Sequence, residues 1–256
     1  MTSDRFDGRT ALVTGAASGI GLAVATHLAN LGAAVLINDL PGEALERAVE
    51  TLPRASAVVA DLSTRAGAME LADVAHAVDI LVNNAGFQHV SPIESFDANR
   101  WDLMLAVMLT APFLLIRGIV PGMYERGFGR IVNISSVHGL VASPFKSAYV
   151  SAKHGLIGLT KTVALEAAQR EVDVTCNAVC PSYVRTPLVE RQLADQARIH
   201  GLSESEVLEK VLLTSNAIRR LIEPEDVARA VAYLCAPESW SMTGTVMTLD
   251  AGWLAH

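Results

Sequence analysis

Apolar residues fall along this chain in two alternating rhythms: short, nearly continuous runs, and longer stretches in which they return every three or four positions. The first run, residues 10–14, reads as a strand, and an amphipathic helix follows over about 20–31 with Gly32 placed to cap its C-terminus. A second strand over 34–38 ends in Asp39, a helix covers about 41–52, and a third strand over 55–60 ends at Asp61. After a polar-to-apolar helix, residues 78–82 form another strand, from whose end Asn83-Asn-Ala-Gly86 turns away. The run 131–135 is a short buried strand, a loop leads from Ser136 to about Ser147, and a helix then begins. Strands that alternate with helical stretches predict an α/β fold with an open parallel sheet. No linker, repeat or low-complexity run divides the chain, so residues 1–256 are read as one domain.

Composition narrows this picture. Apolar residues make up 51% of the chain, ample for a sizeable core. The longest charge-free apolar run, Leu103 to Ile116, contains Pro112 and is shorter than the roughly 20 residues a bilayer requires, so it predicts a buried or interface helix rather than a membrane span. The N-terminal residues carry no apolar secretory core, and the three cysteines, Cys176, Cys180 and Cys235, lack metal-ligand spacing; both fit a reducing, cytoplasmic setting. A net charge of −7 argues against a nucleic-acid partner. The seven histidines form no His-x-x-x-His pair and no cluster with carboxylates, so no metal is expected.

Candidate chemistry lies at the ends of the strands, where an open parallel sheet binds its ligands. Gly15-Ala-Ala-Ser18-Gly19-Ile20-Gly21 joins the first strand to the first helix, the start of a dinucleotide-binding unit in which glycines admit a pyrophosphate to the free N–H groups of a helix N-terminus. Asp39 stands where a carboxylate accepts the adenosine ribose hydroxyls, and no Lys or Arg between Gly15 and Asp39 welcomes a 2′-phosphate. The cofactor read from these residues is NAD. Asp61, Asn83, Ser136 and the glycine turn share that rim. Tyr149 and Lys153, four apart on a helix, stack on one face, so a hydroxyl, a phenol and an ammonium converge on the strand end at Ser136. A nearby cation draws a phenol's pKa of about 10 toward working pH, which makes Tyr149 a candidate general base.

With Thr14-Gly-x-x-x-Gly-x-Gly21, Asp61, Asn83-Asn-Ala-Gly86, Ser136, Tyr149-x-x-x-Lys153 and Pro181 to Thr186 in order, the chain resembles the short-chain dehydrogenase/reductase family over nearly its whole length. The resemblance implies a Rossmann-type doubly wound parallel sheet, hydride transfer with a nicotinamide cofactor, and a homotetramer. It implies proton transfer by Tyr149, a substrate oxygen steadied by Ser136, and a nicotinamide ribose held by Lys153. Asn84, Ala85, Gly86, Leu62, Pro181, Val184 and Thr186 complete the implied cofactor lining.

Three further stretches, Phe87-Gln-His89, residues 137–146 and Thr186-Pro-Leu-Val-Glu-Arg-Gln192, resemble the branch of that family that oxidises D-3-hydroxybutyrate with NAD. This implies that Gln88, His138, Lys146 and Gln192 grip a substrate carboxylate, that Trp253 helps close the pocket, and that about 187–215 form a small helical lid. Two positions depart from the family pattern: Met108 stands where an Asn is usual, and Ser182 where a Gly commonly follows the Pro. The Asn is credited with a water-mediated proton relay, a task beyond a thioether. The alternatives are a dehydrogenase of a sugar or polyol, and a catalytically weak NAD-binding sensor or silent subunit.

Overall fold

A computed structural model of the chain describes residues 5–187, 189, 190, 193, 197 and 202–255. Seven parallel strands form one sheet in the order β3-β2-β1-β4-β5-β6-β7. They are β1 (Thr10–Thr14), β2 (Ala34–Asp39), β3 (Ala55–Val59), β4 (Ile80–Asn83), β5 (Phe128–Ile134), β6 (Asp173–Pro181) and β7 (Val246–Leu249). The described helices include α1 (Gly19–Asn30), α2 (Glu43–Thr51), α3 (Arg65–Val74), α4 (Ala98–Leu105), α5 (Ala111–Arg126), α6 (Ser147–Ala168) and α7 (Pro224–Cys235). Strand order reverses between β1 and β4, and that switch point opens the crevice where such sheets hold ligands.

The period of two along the strands builds two cores. Val13, Ile37, Ile80, Val82, Val132 and Ile134 face one side and pack with α1 and α7. Leu12, Leu81 and Ile131, their neighbours in sequence, face the other and pack with Leu71 of α3, Leu115 and Ile119 of α5 and Val163 of α6. The apolar run from Leu103 to Ile116 lies in a continuous helical stretch, Ala98–Arg126, long and apolar enough by composition to cross a membrane. Its Leu114, Leu115, Ile116, Ile119 and Met123 are buried against α3 and the sheet, so it is a core helix.

Strand boundaries differ from the sequence pattern at two places. Residues 78 and 79 read as strand, yet β4 begins at Ile80; Asp79 is tied at its edge by its N–H, which donates to Thr10 O at 2.8 Å, and by its carboxylate, which accepts from Thr10 N at 3.0 Å and from Arg9 at 3.2 Å. In the other direction, β5 begins at Phe128 rather than at 131. Arg130, which interrupts the apolar pattern, is fully buried because its guanidinium bonds Asp173 at 2.9 Å and lies over the Phe128 ring at 4.4 Å.

Met108 sits in a π turn, Ala106–Thr110, that joins α4 to α5. Pro112 has no N–H to give the carbonyl four residues earlier, which is that of Met108, and the helix widens at that point. The Met108 side chain is buried among Met104, Ala148 and Ala152, and a Cβ on Gly86 would lie 3.2 Å from its sulfur. An amide there would be buried in an apolar cluster, at a cost of about 1–3 kcal/mol if unpaired. Met108→Asn is therefore expected to lower Tm by several degrees while changing kcat less than about tenfold. Gains in both Tm and kcat would show that a polar relay can be completed there after all.

Candidate active site

The C-terminal ends of the strands and the loops after them enclose a cleft of about 590 Å³. Its first wall is the turn after β1. The Ser18 side chain makes no capping bond to α1, so the first N–H groups of this helix are left for a ligand. Gly15 and Gly19 have φ of 62° and 55°, the left-handed region that favours glycine. Gly21 does not line the cleft; a Cβ there would collide with the Gly15 carbonyl, so this glycine keeps the turn tight. These are the requirements of a dinucleotide pyrophosphate, and the donors present fit it.

Beside this turn, Asp39 accepts from Ala17 N at 3.0 Å and from Leu40 N at 2.8 Å, which fixes its carboxylate at the cleft. Asp61 and Leu62 continue the wall, and the Asp61 carboxylate accepts from Ser63 N at 2.9 Å. Of the four features assigned to one rim, Asn83 does not reach it: its side chain is buried in the sheet and donates to Asn133 at 2.8 Å. Asn84 takes that place, its Nδ2 bridging the carbonyls of Thr14 and Gly15 at 2.9 and 3.0 Å and so binding β4 to the glycine turn. Ala85, Gly86, Pro181, Val184 and Thr186 also line the cleft.

Ser136, Tyr149 and Lys153 meet at the centre. β5 ends just before Ser136, whose hydroxyl lies beside Tyr149, donates to Pro181 O at 3.5 Å and accepts from His138 N at 3.2 Å. Lys153 is buried, donates to Ile134 O at 2.7 Å, and lies 5.6 Å from the centre of the Tyr149 ring. The charges differ from the sequence expectation. Burial holds the Tyr149 phenol above its ordinary value, opposed by the Ser136 hydrogen bond, while burial lowers the Lys153 ammonium to about 8. Desolvation is thus the largest influence on both groups.

The far end of the cleft is built from Gln88, His138, Lys146 and Trp253. Trp253 stands edge-on to His138 at 5.5 Å and stacks on Tyr183 at 5.8 Å. Lys146 Nζ lies 5.7 Å above the same Tyr183 ring. Tyr183 escaped the sequence reading, since nothing in its local pattern distinguishes it from a turn residue. Gln192 lies outside the described residues. The described part of the segment 187–215 is a helical piece, Glu204–Val207, that continues into a π turn, Leu208–Leu212. Its Val207, Leu212 and Leu213 pack with Val189, Leu193 and Leu221 in a small apolar cluster of their own.

Comparison with known proteins places this geometry. The family described as short chain dehydrogenase matches residues 9–197. D-beta-hydroxybutyrate dehydrogenase of Rhizobium meliloti (strain 1021) is 46% identical over 258 aligned residues, covering 97% of this chain and 99% of the relative. The enzyme of the same name from Cupriavidus necator is 39% identical, covering 98% of this chain and all of the relative. A solved structure of a short chain dehydrogenase/reductase family protein superimposes with a TM-score of 0.88 at 33% identity, covering 98% of this chain and all of its own.

Proposed function

Because the chain belongs to the short-chain dehydrogenase family, whose members use NAD or NADP, we propose that it interconverts (R)-3-hydroxybutyrate and acetoacetate with NAD. One observation carries the substrate class. Lys146 lines the cleft half-buried, with burial lowering its pKa, and no carboxylate among the described residues lies within ion-pair reach of it. A cation held this way near His138, in a cleft that Gln88 also lines, suits a small anionic group.

The nicotinamide, when bound, supplies the hydride acceptor. On this reading Tyr149 takes the hydroxyl proton, Ser136 holds the substrate oxygen through the hydroxyl that lies beside Tyr149, and Lys153 holds the nicotinamide ribose. Lys146, His138, Gln88 and Gln192 fix the carboxylate, Trp253 and Tyr183 wall the cleft, and the segment 187–215 acts as a lid. Such placement uses the carboxylate, which takes no part in bond changes, to orient the reacting carbon. A cytoplasmic homotetramer remains the expected assembly, with exposed Phe113, Leu165 and Trp240 the kind of side chains its contacts would cover.

The test compares (R)-3-hydroxybutyrate with its methyl ester: kcat/KM should favour the acid by at least about tenfold. Equal turnover removes the carboxylate clamp and puts a neutral polyol ahead as substrate. Preference for NAD rests on Asp39, which presents a fixed carboxylate where a 2′-phosphate would sit, and the two are mutually repelling. Asp39→Ala is expected to weaken NAD binding and narrow the NAD-to-NADP ratio of kcat/KM; an unchanged ratio would place selectivity elsewhere.

A further inference from the structure

His138 is buried, and its Nε2 lies 2.8 Å from the hydroxyl of Ser143, five residues on in the same loop. The ring stands edge-on to Tyr149 at 6.1 Å and to Trp253 at 5.5 Å, while its backbone N–H is committed to Ser136. Among the described residues Nδ1 has no hydrogen-bond partner. We propose that Ser143 is a positioning residue that donates to His138 Nε2 and thereby sets the tautomer in which Nδ1 carries the proton and faces the substrate carboxylate. This rests on the carboxylate reading given above.

The argument is one of donors and acceptors. A carboxylate only accepts, so a histidine that binds it must present an N–H. The charged and titratable groups facing His138 are Lys146, His154 and Tyr149; burial and then the Lys146 and His154 charges lower its pKa to about 4. At working pH the imidazole is neutral and owns a single proton. If that proton sat on Nε2, Nδ1 would turn a lone pair toward the carboxylate and repel it. Holding the proton on Nδ1 requires a donor at Nε2, and the Ser143 hydroxyl is in place to be one. A residue that merely packed there would not need its hydroxyl, whereas this role does.

Two readouts test this on the NAD-loaded enzyme. Butyrate affinity is followed by tryptophan fluorescence, which Trp253 makes sensitive to the site, and KM is measured for (R)-3-hydroxybutyrate. At pH 8, Ser143→Ala should weaken butyrate binding and raise KM about tenfold while leaving KM for NAD unchanged, and Ser143→Thr, which keeps the hydroxyl, should restore both. A penalty below twofold, or a threonine variant as weak as the alanine one, overturns the role of Ser143. Butyrate binding without turnover of (R)-3-hydroxybutyrate sinks the substrate reading while the butyrate series still judges Ser143; absence of butyrate binding by the unmodified protein overturns both.

Discussion

Replacing Tyr149 by phenylalanine should lower kcat by a factor of about 10²–10⁴ while the Kd for the cofactor stays within about twofold. The substitution removes one hydroxyl and leaves the ring, whose neighbours Ala148, Ala152 and Met108 still hold it in place. What is lost is the phenol at the meeting point of Ser136 and Lys153. Since burial keeps that phenol above its ordinary pKa, it is protonated at neutral pH in the absence of other charge. Alcohol oxidation needs it deprotonated, so the oxidation rate should climb with pH; ketone reduction needs it protonated and should run in the opposite sense. A variant that keeps more than a tenth of the unmodified kcat removes Tyr149 from the reaction.

Lys146→Ala comes next in size, with KM for (R)-3-hydroxybutyrate rising about 10- to 150-fold, since a charge-assisted hydrogen bond is worth about 1.5–3 kcal/mol. The KM for NAD should hardly move. The preference for the acid over its ester should disappear, because the ester gains nothing from the ammonium in the unmodified enzyme. Tyr183 makes this a clean experiment: its ring stacks on Trp253, so the wall under Lys146 stands without the lysine. A rise in KM for NAD of the same size would mean instead that the loop has collapsed into the cofactor half of the cleft.

Much of this site was legible in the chain because its chemistry is local. Gly15 to Gly21 and Tyr149 with Lys153 are set by one turn and one helix, and a period of two or of 3.6 suffices to place them. The strands β1 and β2 were equally plain, being continuous apolar runs bounded by turns. What escaped depends on partners far away in sequence. Asp79 sits just ahead of β4, tied to Thr10, 69 residues distant. Arg130 reads as surface until Asp173 is seen beside it, 43 residues on. Asn83 and Asn84 are neighbours of one type, and only the pleat of β4, together with the Thr14 carbonyl, sends one into the sheet and the other to the cleft. Tyr183 acquires its place from Trp253, a contact between two loops that no periodicity encodes. The Tyr149 phenol was misjudged for a related reason: spacing locates a cation but says nothing of desolvation.

Val207, Leu212, Leu213 and Leu221 close on Val189 and Leu193 in a cluster apart from both sheet cores. These side chains are satisfied largely by one another, with Tyr183 packed at the edge of the cluster, and the two sheet cores take no part in holding them. A self-packed unit of this kind is a module in the evolutionary sense: it can drift, lengthen or be exchanged for a differently shaped one without disturbing the scaffold that binds the cofactor. Changes of substrate among proteins built this way can proceed by swapping the cover while the hydride-transfer chemistry beneath it is inherited intact.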